Sequence, residues 1–208
     1  MKKIVIAALL STFVATPAVA ADFYAGVRQG SVNYGYSFVT NNDQAGFGLL
    51  GGYIINDNFA MEIEFMDLGG FDVARRFVNT QTGDQAIIRS TYTGNALSLS
   101  VVSTYQLTEA ISLSGKFGIA NTTLDTTPYA TISTTINGQP VESVVRGKTV
   151  SYSKDSLTAG LRGQYNMTPS VGIYLAVDSF AVDATDVGVG QSTTSLATVS
   201  SVGAMFKF

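Results

Sequence analysis

Two absences bound this chain of 208 residues: it contains no histidine and no cysteine. That removes the usual general base of hydrolytic enzymes, the thiol nucleophile, the common transition-metal ligands and any disulfide framework. Fifteen Asp/Glu against 12 Lys/Arg give a net charge of −3, which excludes a phosphate-backbone partner and so nucleic acid. Although 46% of the residues are apolar, no apolar run past residue 20 reaches the roughly 18 that a spanning helix needs, so membrane helices are excluded as well.

The first element in the chain stands apart from the rest. Lys2 and Lys3 precede an apolar run from Ile4 to Val14, and Ala18-Val19-Ala20 supplies small residues for cleavage, which predicts a signal peptide over 1–20 and a single domain over 21–208. Removing the two lysines takes the net charge from −3 to −5. Beyond Ala21 the pattern is alternation of period two, rich in Thr, Ser, Val, Tyr and Phe. It marks eight segments: Phe23 to Val32, Gly46 to Ile55, Phe59 to Leu68, Ala96 to Tyr105, Ile111 to Ala120, Leu157 to Tyr165, Val171 to Phe180 and Thr198 to Phe208. Each has about ten residues, the length a tilted strand uses to cross a bilayer.

The links between them alternate in length. Asn56-Asp57-Asn58, Gln106 to Ala110 and Asn166 to Ser170 are short, whereas Asn33 to Ala45, Gly69 to Asn95, Asn121 to Ser156 and Ala181 to Ala197 are long. That asymmetry predicts an all-β fold, an eight-stranded antiparallel up-and-down transmembrane β-barrel with four surface loops. In the third long link Asn137-Gly138, flanked by alternating Thr/Ser and apolar residues, is a type I′ hairpin signal and extends strands five and six as a ribbon.

Parity separates the two faces of every segment. Residues such as Leu49, Ile63, Leu99, Phe117, Leu161 and Leu175 share one parity, while Arg28, Glu62, Glu64, Lys116, Arg162 and Asp178 share the other with serines and glycines. An Arg or Lys facing lipid at mid-depth costs about 2–4 kcal/mol, so the charged parity is assigned to the lumen. Asp67 alone breaks the rule and is placed at the rim. A soluble lipocalin-like barrel would have the opposite polarity, apolar within and charged without. In lipid an unpaired strand edge is intolerable, so the first and last strands pair, and the terminal SSVGAMFKF becomes the closing strand. Phe206 and Phe208 then join Phe23, Tyr53, Phe59, Tyr105 and Tyr165 in an aromatic girdle at the short-turn end.

GGYIINDNFAMEIEFMDLGGF, with Gly52-Tyr53, Asn56, Glu62 and Leu68-Gly69, resembles the second and third strands of the OmpA-like transmembrane domain family; FYAGVRQG and SVGAMFKF resemble its first and eighth. The resemblance runs over Ala21 to Phe208 and implies a small outer-membrane barrel of the porin or opacity type. It further implies that Phe206 and Phe208 form an assembly signal for the barrel-assembly machinery, and that Glu62 joins a lumenal salt-bridge network. Val102 and Tyr174 stand where the family's best-known member carries basic lumenal groups, so the gating exchange of that member does not transfer. The periplasmic domain of longer relatives has no counterpart, and no cell-wall anchoring is predicted.

Three basic and three acidic lumenal groups read first as a paired network filling a bore just wide enough for side chains, and alternatively as a gate over a narrow passage. Glu62 and Glu64 share a face, but neighbouring cations hold both ionised, so no catalytic residue, metal site or cofactor is assigned. VGVGQST lacks the Lys and the helix of a phosphate loop and reads as a surface turn. Asp183, Asp186 and the backbone near Gly188 form a weak calcium candidate against a solvated loop, and Arg75, Arg76 and Arg89 face lipopolysaccharide phosphates or solvent. The expected role is structural, in the outer membrane of a Gram-negative bacterium, with outer-membrane lipid and lipopolysaccharide as surroundings. A narrow pore, or loop-mediated adhesion to an extracellular ligand, are the alternatives.

Overall fold

In a computed structural model the fold is described for residues 22–35, 43–78, 85–136, 139–186 and 191–208. The predicted signal peptide therefore lies outside the described residues, as do Asn137-Gly138 and Gly188. Nine strands follow one another: β1 (Phe23–Tyr34), β2 (Asp43–Asn56), β3 (Phe59–Val78), β4 (Gln85–Gln106), β5 (Ile111–Ile136), β6 (Gln139–Arg146), β7 (Val150–Asn166), β8 (Val171–Asp186) and β9 (Gln191–Lys207). All but β6 form a closed antiparallel ring, sealed by β4 against β5 and by β1 against β9. The β1–β9 register runs from Tyr24 opposite Lys207 to Tyr34 opposite Ala197, and the N–H of Phe208 donates to the Phe23 carbonyl at 3.0 Å. The terminal residue thus belongs to the wall.

Side-chain caps make the short turns. The Asn56 carboxamide oxygen accepts the N–H groups of Asn58 and Phe59 at 2.9 and 3.0 Å, while Thr108 and Thr168 hydroxyls accept those of Ile111 and Val171, each at 3.0 Å. At this end Phe23, Tyr53, Phe59, Tyr105, Tyr165, Phe206 and Phe208 all face outward, and the Phe23 and Tyr53 rings meet at 5.0 Å. Above them the exterior of β3, β4, β5 and β7 carries no charge and, Ser103 apart, no polar side chain up to Asp67, Asn95, Asn121 and Asp155. Asn121 donates to Asp155 at 2.7 Å, and Asp67 lies opposite Asn95, so Asp67 is part of a polar upper border.

Over the described residues three of the four long links, 69–95, 121–156 and 181–197, are mostly strand, which corrects the expectation of loops in the second and fourth and agrees with the ribbon expected in the third. β3 and β4 stay paired to Val78 opposite Gln85, β4 and β5 to Gln85 opposite Ser133, and β8 and β9 to Asp186 opposite Gln191. Thr, Ser, Val and Ile continue to alternate there, so hydrogen bonding persists where lipid ends. The ribbon of β5 with β7 is interrupted at 147–149 and carried on by β6. Two seams open near the top of the apolar belt: β2 leaves β3 at Phe47 opposite Asp67, and β7 leaves β8 at Ala159 opposite Ser179. The wall thereby divides into two wings, one of β3 to β6 with the upper part of β7, the other of β8, β9, β1 and β2.

A bulge between Asp67 and Gly69 bends the first wing inward. The Asp67 carboxylate accepts the Gly69 N–H at 2.9 Å, Gly69 has φ +67°, and the buried parity passes from Met66 and Leu68 to Phe71. A Cβ at Gly69 would lie 2.6 Å from the Ala45 carbonyl oxygen. Gly69→Ala is therefore expected to lower stability by about 1–2 kcal/mol, measured by urea unfolding in lipid vesicles; an unchanged midpoint would contradict the bulge.

Candidate functional site

The bore is filled by a lattice of buried ions. Arg28 Nε lies 2.5 Å from Glu64 Oε1 and its Nη1 donates to Asp178 Oδ2, while Lys116 Nζ lies 2.7 Å from Glu64 Oε2 and 2.8 Å from Asp178 Oδ1. These four close a ring of alternating charge. Lys116 also reaches Glu62 at 3.7 Å, and Arg162 Nη2 donates to both Glu62 oxygens at 2.8 Å. None of the six side chains is more than 7% exposed. The structure brings together all six residues singled out in the sequence. It adds the Tyr24 hydroxyl donating to Glu62 at 2.9 Å, Ser201 accepting from Arg28 at 3.3 Å, and the Tyr174 ring 4.8 Å beneath the Arg162 guanidinium.

Small residues beside each ion make the fit. Arg28 lies opposite Gly48 and Gly203, Lys116 and Asp178 both lie opposite Gly160, Glu62 is flanked by Gly52 and Ser100, and Arg162 by Ser114 and Ala176. A Cβ at Gly48 would sit 2.9 Å from Arg28 Cγ, and one at Gly160 would collide with the Asp178 carboxylate. Eight strands enclose room for one layer of long side chains only where their neighbours have none. Gly48 and Gly160 thus make room for ions, while Gly52 and Gly203 make room for the Tyr24 and Tyr174 rings.

Apolar clusters lie on both sides of the lattice, which corrects the expectation of a polar interior throughout. On the wing side Val32, Tyr34, Phe180, Val182, Ala197 and Val199 of one wing pack against Met66, Leu68, Phe71, Tyr92, Ala96, Ala120 and Leu124 of the other, none of them more than 3% exposed. Phe71 stacks on Tyr92 and tilts against Tyr34, both at 4.7 Å between centroids, and the Tyr34 hydroxyl donates to the Leu68 carbonyl at 3.0 Å. On the short-turn side Tyr24, Ala60, Val102, Tyr174 and Met205 form a second cluster, beside which a vestibule of about 390 Å³ of mixed lining opens, with Asn56, Gln106, Ser112 and Gln164 among its polar residues and Arg162 at its inner end. Val102 and Tyr174 are thus apolar packing in the floor.

In agreement with this closed ring, the sequence matches over residues 5–208 the family described as outer membrane protein beta-barrel domain. The chain belongs to the outer membrane β-barrel protein family. Among solved structures, this family member is similar to the outer membrane protein OprG from Pseudomonas aeruginosa, with 11% identity over 90% of this chain and 98% of the other and a TM-score of 0.51. It is also similar to Ail, the attachment invasion locus protein of Yersinia pestis, at 19% identity over 89% of this chain and 96% of the other, with a TM-score of 0.47. Neisserial surface protein A is a further neighbour, at 12% identity over 90% and 98%, with a TM-score of 0.47. No curated protein sequence matches this outer-membrane barrel.

The remaining candidates fall on the wings. Asp183 accepts from Thr194 and pairs with Lys154 at 3.3 Å across the β7–β8 seam, where Thr122 also donates to the Ala181 carbonyl at 2.6 Å, so the carboxylate serves closure. Among the described residues no group of His, Cys, Asp or Glu is arranged to hold a metal ion. Arg76 and Arg89 lie on one exposed face of the β3–β4 ladder, with Arg75 on the other. Tyr24, Tyr34, Phe71 and Tyr92 escaped the sequence reading; the signal for Tyr24 is its parity, shared with Arg28 two turns of alternation on.

Proposed function

We propose that this outer-membrane barrel is a closed structural element of the cell envelope that carries two β-wings at the surface and passes no solute. The observation behind this reading is the layering of the bore: a neutral ion lattice held between two apolar clusters. A conducting lumen needs a continuous wetted path, and single-sign rings are what select ions; here each ion faces its counterion and the wing-side cluster seals the exit. Glu62 and Glu64 are engaged by Arg162, Arg28 and Lys116, which leaves neither as a free acid or base, so the barrel is not an enzyme. Export in a Gram-negative bacterium by cleavage after Ala20, recognition of Phe206 and Phe208 by the assembly machinery, and contact of the wings with lipopolysaccharide belong to the same reading.

Planar-bilayer recording tests it. The refolded protein is expected to give no stable current steps, and a Phe71→Ser, Tyr92→Ser double variant to give brief, noisy ones as the wing-side seal is wetted. Long-lived open steps from the unaltered chain would contradict the closed reading.

A further inference from the structure

β6 ends the sheet: β5 covers one of its edges, and among the described residues no strand covers the other. The register identifies which groups that free edge offers. Ile136 lies opposite Gln139 and Tyr129 opposite Arg146, and the Gly147 N–H donates to the Pro128 carbonyl at 2.8 Å, so the hydrogen-bonded pairs use Val141, Ser143 and Val145. The backbone of Glu142, Val144 and Arg146 therefore points outward, while Pro140 has no N–H to give. These three side chains share a face. Glu142 accepts from Ser133 at 3.4 Å, Arg146 lies 5.4 Å over the Tyr129 ring, and neither forms an ion pair among the described residues. Val144 between them is 67% exposed.

We propose that this edge pairs with the same edge of a second copy of the chain, antiparallel about a twofold axis at Val144. That register sets Glu142 of each copy opposite Arg146 of the other and forms three hydrogen-bonded residue pairs. Centring on Glu142 or on Arg146 would instead oppose like charges, so the charges select one alignment. The axis of such a pair is perpendicular to the sheet. The wing continues the barrel wall through an unbroken β4–β5 ladder, so the axis lies near the membrane plane and the two barrels sit in opposed membranes. β5 runs some fifteen residues above Asn121, about 50 Å of strand, which gives the contact its reach. The inference rests on the surface position of the wings.

Two dye-labelled populations of phospholipid vesicles carrying the full chain test this by energy transfer, with heat-shifted gel mobility verifying the barrel of each variant separately. The unaltered protein is expected to cluster vesicles; Arg146→Glu alone and Glu142→Arg alone are expected to lose clustering to the level of empty vesicles. Mixing the Arg146→Glu population with the Glu142→Arg population is expected to restore it. Dispersed vesicles with the folded unaltered protein, clustering by either single variant alone, or failure of the mixture would each overturn the proposal. Since the chain has no cysteine, Val144→Cys treated with a mild thiol oxidant, which takes up the two electrons, adds a second readout: a disulfide dimer that forms only in clustered vesicles supports the pairing, and one that forms within isolated vesicles overturns it.

Discussion

Glu62→Ala is expected to lower the unfolding free energy of the barrel by about 3–5 kcal/mol, because it leaves a buried guanidinium without a counterion. Glu62 is the carboxylate that Arg162 Nη2 contacts, and it accepts the Tyr24 hydroxyl as well, so both lose their acceptor at once. Glu64→Ala has a milder effect, since Arg28 and Lys116 each keep Asp178. The cause is separable from loss of volume. Adding Arg162→Met to Glu62→Ala removes the stranded charge and is expected to recover most of the loss, as apolar replacement of a buried pair often does. Urea midpoints in lipid vesicles give all corners of the cycle. Additive effects of the two substitutions would mean that Glu62 and Arg162 do not act as a pair.

Leu161→Arg carries the second large effect. Leu161 is at the middle of the spanning part of β7, 64% exposed and facing away from the lattice, so a guanidinium there meets acyl chains and costs about 2–4 kcal/mol. Val150→Arg on the same strand is the companion. Val150 is also exposed and apolar, but it lies above the polar border at Asp155, where water solvates the charge, and a change within about 0.5 kcal/mol is expected. Equal losses at both positions would show that the belt is not in lipid.

The spanning strands were legible because lipid and lumen impose opposite chemistries on alternate residues, and a period of two survives any local irregularity shorter than a strand. Arg28, Glu62 and Lys116 announced the lumen for that reason. Outside the ribbon signalled by Asn137-Gly138, the wings were not legible as strands. Ten residues cross the bilayer, so a window of that length stops at Leu68 or Ala120, yet the ladder is held by backbone bonds that continue through Thr, Ser and Val to Val78 and Ile136. The seal of Tyr34, Phe71 and Tyr92 was hidden twice over. Its members fall beyond those windows, and the bulge at Gly69 exchanges the faces so that Phe71 shares its buried side with residues of the other parity. Gly69-Gly70 before Phe71 is the local mark of that exchange. Which ion meets which was beyond the sequence, because Arg28 and Asp178, 150 residues apart, approach over the intervening β9.

Collision of lipid-soluble oxygen with single nitroxides along β4 tests the central assignment most directly, since the absence of native cysteine makes each label unique. With the label at each position from 97 to 102 in turn, relaxation by oxygen is expected to peak at Leu97, Leu99 and Val101 and to fall at Ser98, Ser100 and Val102. The opposite phase, or an even profile along the strand, would contradict an exterior of apolar side chains around a lattice of ions.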